Sequence, residues 1–240
     1  MSSGLYAALS GALARMETVE TVTNNLSNAN TPGFKKDRLC FASILDQATQ
    51  NRRSHGVNYT YIPDRKIDFS EGVTIQTNRD LDVAIEGKGF FKVKRGGQEF
   101  FTRLGNFTRS KNGQLVTRSG ALVLGNGGQP IDLPDGVINI DENGVIFGKD
   151  GEAGRLGLFA PDETQLVKQG SGLFSYNGDS TAVKQSKDGR LLQRHLEGSN
   201  VQSMQEVVVM MTSMRGFESY QKAMKNYFSI EEKTNEIGAL

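Results

Sequence analysis

From Leu5 the apolar residues recur at steps of four and three, through Leu9, Ala12, Met16, Val19 and Leu26, with Thr23 the polar member of the row. That spacing is the a/d seam of a helix built to face another helix. Leu13, Ala8 and Val22 widen the stripe, while Arg15, Glu17 and Glu20 stay off it. At the other end, the segment from Val201 to Ile237 holds no proline, and Met204, Val207, Val208, Met211, Met214, Phe217, Tyr220, Met224, Tyr227 and Phe228 make a broad apolar face. The pattern predicts one long helix, with Ser199 as N-cap and Gly216 as its interior weakness. About thirty residues of helix reach ~45 Å, more than a compact central domain covers, so part of that face needs another partner.

Between the helices the pattern changes to short β-prone runs such as "QLVT", "ALVL", "VINI" and "GVIF". They are punctuated by Asn112-Gly113, Asn126-Gly127, Asp135-Gly136, Asn143-Gly144, Asp150-Gly151, Asn177-Gly178 and Asp188-Gly189. These pairs predict hairpin turns with positive φ at both central positions. In "VAIEGKGFFKV" two apolar runs meet at Gly-Lys-Gly, which starts a strand at Phe90 and Phe91 with one ring on each face. "RLCFASILDQATQ" is compatible with a short helix, and the polar, aperiodic "NRRSHGVNYTYIPDRKIDFSEG" with an extended connector. The predicted fold class is α+β. Residues 1–34 with 199–240 form an inner helical assembly domain whose terminal helices pair in coiled-coil fashion, 35–72 form the connector, and 73–198 form a central all-β, hairpin-rich domain.

The polar stretch "NNLSNANTPGF" ends the first helix. Leu26 completes the seam, Asn28 or Asn30 is suited to the left-handed conformation of a helix end, and Pro32 prevents continuation. Thr31, Pro32, Gly33 and Phe34 then read as a type II turn that serves as a joint. Asn24 and Asn25 have no local task in this scheme; the expectation is that they hydrogen-bond across subunits and fix register.

Composition narrows the function classes. Lys and Arg number 28 against 27 Asp and Glu, so no overall field draws the chain to nucleic acid or an anionic surface. The basic run "FTRLGNFTRSKNGQLVTRSG" has aromatics between its charges, yet Arg103, Arg109, Lys111 and Arg118 fit outward-facing strand positions better than a single-strand binding surface. The lone Cys40 offers no internal disulfide, and with His55 and His195 it makes a poor zinc ligand set. "EGKGFF" and "GKDGEAGRLG" lack the residues that complete a dinucleotide or phosphate loop, and the acidic residues Asp132, Asp135, Asp141 and Glu142 lack calcium-loop spacing. No catalytic residue, metal ligand or cofactor is expected. The N-terminus lacks the apolar h-region of a secretory signal, and no window is apolar enough to span a membrane.

Two seamed helices flanking a β domain suit polymeric assembly, because heterologous contacts that do not close build a filament or tube. The expected assembly interface comprises Leu5, Leu9, Met16, Val19, Asn24, Asn25, Leu26, Asn28, Val201, Met204, Val208, Met211, Met214, Phe217, Tyr220 and Met224. Its methionines tolerate slightly different neighbour environments. A glycan-binding or adhesive β module on a helical oligomerisation stalk is the competing class.

Five stretches carry a resemblance that runs in one order along nearly the whole chain: "NNLSNANTPGFKK", "DLDVAIEGKGFFKV", "FTRLGNFTRSKNGQLVTRSGALVLG", "LEGSNV" and "EVVVMMTSMRGFESYQKAM". Together they resemble the flagellar rod and hook axial proteins of bacteria. Within that family the size and short connector look most like the proximal rod members; distal rod members carry a longer insertion and hook members extra outer domains. The resemblance implies a structural, non-catalytic subunit of the basal-body rod. Its implied partners are itself and other axial proteins, with the flagellar type III export apparatus in transit, and no nucleic acid, membrane span or small-molecule substrate. The implied location is the periplasmic rod, reached without a cleaved signal peptide.

Overall fold

The computed structural model describes residues 3–45, 58–149, 151–181, 183–186 and 188–238. The chain divides into two compact units, one of Met1–Asn28, Lys36–Asp68 and Val201–Leu240, the other of Ala29–Lys35 and Phe69–Asn200. The architecture is α+β, with a helix at each end and a β-rich centre.

The first unit holds helix α1 (Ser3–Ser27), strands β1 (Asp37–Leu45) and β2 (Asn58–Ile67), and, at the far end of the chain, helix α2 (Ser203–Gly238). The helices lie antiparallel, since the backbone at Gly4 meets Tyr227, that at Gly11 meets Tyr220, and Asn25 reaches Glu206. A Cβ added at either glycine would collide with the facing tyrosine ring. This close approach rotates the seam by one residue from the predicted row: Ala8, Thr18, Val22 and Asn25 are buried, whereas Leu9, Leu13 and Met16 stand 43%, 58% and 51% exposed. Interaxial distance follows side-chain size, so small residues take the contact and the large ones turn outward.

Residues 37–67 correct the expectation of a connector or short helix. Strands β1 and β2 pair antiparallel, from Asp37 opposite Ile67 to Leu45 opposite Asn58. Between Cys40, paired with Asp64, and Ala42, paired with Tyr61, the register shifts by one residue, a bulge in the part of β2 that contains Pro63, which cannot donate to the ladder. Pairing here satisfies backbone groups without an alternating apolar pattern, which is why periodicity did not disclose it. His55 lies outside the described residues.

Both ends of the helices also differ from expectation. The described non-glycine residues with positive φ are Ser171 and Arg194, so neither Asn28 nor Asn30 is left-handed. Instead the Asn28 amide donates to the Asn24 carbonyl at 2.9 Å. Helix α2 starts beyond Ser199, and the Gln202 carbonyl accepts the first helical bond from the Glu206 N–H at 3.1 Å.

The second unit contains strands β3 (Thr74–Gln76), β4 (Val83–Glu86), β5 (Phe91–Arg95), β6 (Gln98–Thr102), β7 (Phe107–Arg109), β8 (Leu115–Thr117), β9 (Leu122–Leu124), β10 (Asn139–Ile140), β11 (Val145–Gly148), β12 (Gly151–Arg155), β13 (Leu166–Lys168), β14 (Leu173–Tyr176), β15 (Arg190–Gln193) and β16 (His195–Glu197). A seven-stranded sheet in the order β13-β14-β6-β5-β9-β8-β7 is joined by the three-stranded sheet β10-β11-β12 and the pairs β15-β4 and β16-β3. Strand β4 therefore pairs with β15, and Gly87-Lys88-Gly89 passes the chain between sheets instead of closing a hairpin. Phe90 and Phe91 do face opposite ways. Phe91 meets Phe107 edge-on at 5.0 Å inside the core that includes Val93, Leu115, Val123 and Ile146, while Phe90 lies with Phe69 and Phe174.

One turn recurs four times. In 110–114, 117–121, 125–129 and 141–145 the fourth residue is a glycine whose N–H donates to the first carbonyl, and the first N–H donates to the fifth carbonyl. Those glycines have φ of +81°, +85°, +73° and +83°, and no described Asn or Asp joins them at positive φ. The hairpins thus use a type I turn followed by one left-handed glycine, a three-residue loop, in place of the expected pair of left-handed residues.

Candidate functional site: an apolar helix pair and a buried ionic joint

The helix pair presents two stripes of large apolar residues to solvent. On α1 they are Tyr6, Leu9, Leu13 and Met16; on the N-terminal half of α2 they are Met204, Val208, Met211 and Met214, of which Met204 is 83% exposed, and Tyr227, Phe228 and Ile230 are exposed farther along the same helix. Residues 6–16 run beside the C-terminal half of α2, where Tyr220 and Tyr227 sit, and residues 204–214 run beside the C-terminal half of α1. The 6–16 stripe and the 204–214 stripe therefore occupy opposite ends of the pair, with exposed Phe228 and Ile230 extending the apolar surface at the first of them.

Of the other expected interface residues, Leu5 and Val201 are buried, and Val19, Leu26, Asn28, Phe217, Tyr220 and Met224 are partly buried. Asn24 is exposed. Asn25 corrects the expectation of a bond across subunits: it is 2% exposed and spent within its own chain. Its Nδ2 donates to the Asp37 carbonyl and its Oδ1 accepts from the Asp37 N–H, both at 3.0 Å. The same Nδ2 lies 3.4 Å from Glu206 Oε2. Asn25 thus pins β1 to α1, and with Thr18, Ser213 and Glu206 it makes the inside of the helix pair unusually polar. These polar groups are buried alongside Leu5, Ala8, Ala12, Ala14 and Val22, so small and polar side chains share the seam with few large apolar ones.

In the β unit the expected joint is built as a turn. Phe34 N–H donates to the Thr31 carbonyl at 3.3 Å, and Gly33 has φ of +64° at the position where a type II turn requires it. Gly33 also packs on the Arg103 backbone, where an added Cβ would stand 2.8 Å from the carbonyl carbon. Pro32 and Phe34 are partly buried, and the Phe34 ring lies 4.5 Å from Lys168 Nζ.

Behind this turn lies a charge cluster that the sequence pattern did not disclose. Lys35 Nζ is 2.5 Å from Glu197 Oε1, and Arg103 Nη1 is 3.3 Å from Glu197 Oε2. All three residues are at most 2% exposed. Lys35 Nζ also donates to the Ser70 carbonyl at 2.7 Å, Arg103 Nη2 to the Gly87 carbonyl at 2.9 Å, and Gly72 N–H to Glu197 Oε1 at 3.1 Å. The Arg103 guanidinium stacks 5.1 Å above the Phe90 ring, while its Nε has no protein partner. Gly33 N–H donates to the Glu197 carbonyl at 2.7 Å, so the turn and the cluster are one object. Together they tie residues 31–35, 70–72 and 197–200, the segments at which the chain enters and leaves this unit.

Arg103 was expected on an outward strand face. Four successive residues, Phe100 to Arg103, are instead buried, which breaks the alternation on which that expectation rested. The remaining signal was that Lys35, Arg103 and Glu197 each sit inside one of the family-like stretches, within two residues of Gly33, Gly105 and Gly198 respectively. His195 is half-buried in β16, with Nδ1 2.8 Å from the Gln193 carbonyl. Among the described residues no group of three or more His, Cys, Asp and Glu is placed to hold a metal ion, and no helix is long and apolar enough to cross a membrane.

Burial pushes the Lys35 ammonium below its ordinary pKa of 10.5, and the Glu197 carboxylate offsets this only in part. The sign follows from linkage: between the lowered value and 10.5 the unfolded chain keeps a proton that the folded chain has lost. Stability from this group therefore rises with pH across that window. Denaturant titrations from neutral to alkaline pH should show the rise in the native protein and not in Lys35→Met; a falling or identical profile would contradict it.

Comparison with known proteins places these features in context. Three family models match: the flagella basal body rod protein model over residues 5–35, the flagellar hook protein FlgE/F/G D1 domain over 84–151, and the flagellar basal body rod FlgEFG protein C-terminal model over 192–237. The chain is 34% identical over 232 residues to the flagellar basal-body rod protein FlgF of Caulobacter vibrioides, with 94% of each chain covered. It is 31% identical over 247 residues to the flagellar basal-body rod protein FlgG of Bacillus subtilis, covering 92% of this chain and 94% of that one. With the FlgG of Borreliella burgdorferi it shares 34% identity over 253 residues and 94% of each chain.

Proposed function

The chain belongs to the family of flagellar basal-body rod proteins, and from that premise we propose that it is a rod subunit that polymerises helically through its terminal helices into the hollow shaft carrying torque to the hook. The observation that carries this reading is the placement of two exposed apolar stripes at opposite ends of one helix pair. A patch at each end lets the α1 stripe of one copy meet the α2 stripe of the next. Such a contact is heterologous, and with a rotation that does not bring the last copy back to the first it repeats into a filament. The small-residue contact inside the pair turns Leu9, Leu13 and Met16 outward, where a neighbouring copy can cover them.

On this reading the helical parts, 1–34 with 199–240, form the inner coiled-coil-like assembly domain, and residues 73–198 form the outer β domain. The segment 35–72, assigned as connector, contributes the β1–β2 hairpin on α1. The neighbours are copies of this chain and other axial proteins; the route is the flagellar type III apparatus without a cleaved signal, and the destination is the periplasmic rod. We place the subunit in the proximal segment. The alignments to the two FlgG proteins extend over 247 and 253 positions, more than the 240 residues of this chain, so those relatives carry insertions that this chain lacks. Family membership disfavours the adhesive-module alternative.

A cysteine pair tests the stripe-to-stripe contact. In a Cys40→Ser background, Leu9→Cys with Met211→Cys should give an oxidant-induced ladder of cross-linked oligomers in isolated basal bodies, and either single variant should give no ladder. Basal bodies that contain the double variant yet yield no species beyond monomer would overturn the proposed contact.

A further inference from the structure

Four asparagines precede glycine in described parts of the β unit: Asn112, Asn126, Asn143 and Asn177. The fold treats the following amide in two ways. In turns 110–114 and 141–145 the Asn is third and the glycine fourth, so Gly113 N–H donates to the Ser110 carbonyl and Gly144 N–H to the Asp141 carbonyl, each at 3.0 Å. Turn 125–129 has the same backbone but Asn126-Gly127 one place earlier, and the closing donor is the Gly128 N–H. Among the described residues the Gly127 N–H consequently has no hydrogen-bond partner, and neither does the Gly178 N–H that follows Asn177. Gly127, Asn177 and Gly178 are exposed, whereas Gly144 is buried.

We infer that Asn126 and Asn177 are sites of spontaneous deamidation, and that turn hydrogen bonds protect Asn112 and Asn143 from the same chemistry. The glycine nitrogen loses its proton to solvent base and attacks Cγ of the preceding asparagine. A new N–Cγ bond forms, the Cγ–Nδ2 bond breaks, and ammonia leaves with the proton it needs from water. The resulting five-membered succinimide is opened by one water at either carbonyl, which yields aspartate or isoaspartate. Nothing is oxidised or reduced. A nitrogen that must first give up a turn hydrogen bond reacts more slowly, and glycine matters because it has no side chain to shield that nitrogen. The shared sequence Asn-Gly does not separate the four sites; their place in the turn does.

Each event adds one negative charge to a chain whose formal net charge is +1, so two events reverse its sign.

The test is peptide mapping by mass spectrometry, with isoaspartate detection, of the native full chain aged at mildly alkaline pH. Asn126 and Asn177 should convert about tenfold faster than Asn112 and Asn143, the rate factor of one hydrogen bond that must break first. In guanidinium-unfolded chain the four rates should converge, and Gly178→Ala should slow Asn177 alone. Equal rates in the native protein, or a difference that persists after unfolding, would each overturn the inference.

Discussion

Replacing Glu197 with Gln should cost the β unit about 3–5 kcal/mol, the penalty of leaving buried cations without their carboxylate. Lys35 and Arg103 both depend on that one group, and their other contacts are carbonyls and a ring face, which cannot neutralise two positive charges. The loss should appear in denaturant titration as a lower midpoint with an unchanged slope. Converting the whole cluster to Lys35→Met, Arg103→Met and Glu197→Leu should recover most of it, because well-packed apolar residues often equal or exceed a buried ion pair in stability. A loss below about 1 kcal/mol for Glu197→Gln, in the range of exposed pairs, would mean that the cluster is solvated and does not hold the joint.

The second large effect is on assembly. Leu9→Asp with Leu13→Asp should abolish rod formation and motility while leaving the thermal unfolding of the isolated chain unchanged within error. Both residues are largely exposed, so their replacement removes no intramolecular core. In a polymer each would bury a leucine worth about 1.5–3 kcal/mol, and two desolvated carboxylates would oppose the contact further. The mirror experiment is Phe91→Ala, at 0% exposure and packed on Phe107. It should lower β-unit stability by about 3–5 kcal/mol without touching either stripe. Motile cells with the double aspartate variant, or equal destabilisation by both sets of changes, would rule out the division of labour.

These two experiments separate the roles that the pattern of the chain merged. The apolar rows of both helices were read as one seam, yet they do two jobs. Gly4, Gly11, Thr18 and Asn25 take the contact inside the chain, and Leu9, Leu13 and Met16 remain outside. A heptad count weighs leucine above glycine, but a close helix contact selects in the opposite direction. Asn25 shows the same limit: an asparagine beside a seam is compatible with a bond to a neighbour or to its own hairpin, and only the position of Asp37 decides.

The sequence alone determined the α+β class, the two terminal helices, the hairpin-rich centre, the opposite faces of Phe90 and Phe91, and the turn at Thr31–Phe34. Each of these is local, written in residues a few positions apart through periodicity, turn chemistry and the restricted φ of proline and glycine. Tertiary structure alone decided the β1–β2 pairing, the rotation of the helix seam and the Lys35–Glu197–Arg103 cluster. Those depend on groups far apart in the chain, Lys35 and Glu197 among them, whose burial is favourable only when the fold delivers partners to the same place. A charge carries no mark in sequence of whether it will be solvated or paired; its desolvation cost and the distance to its counter-charge are set when the chain has folded.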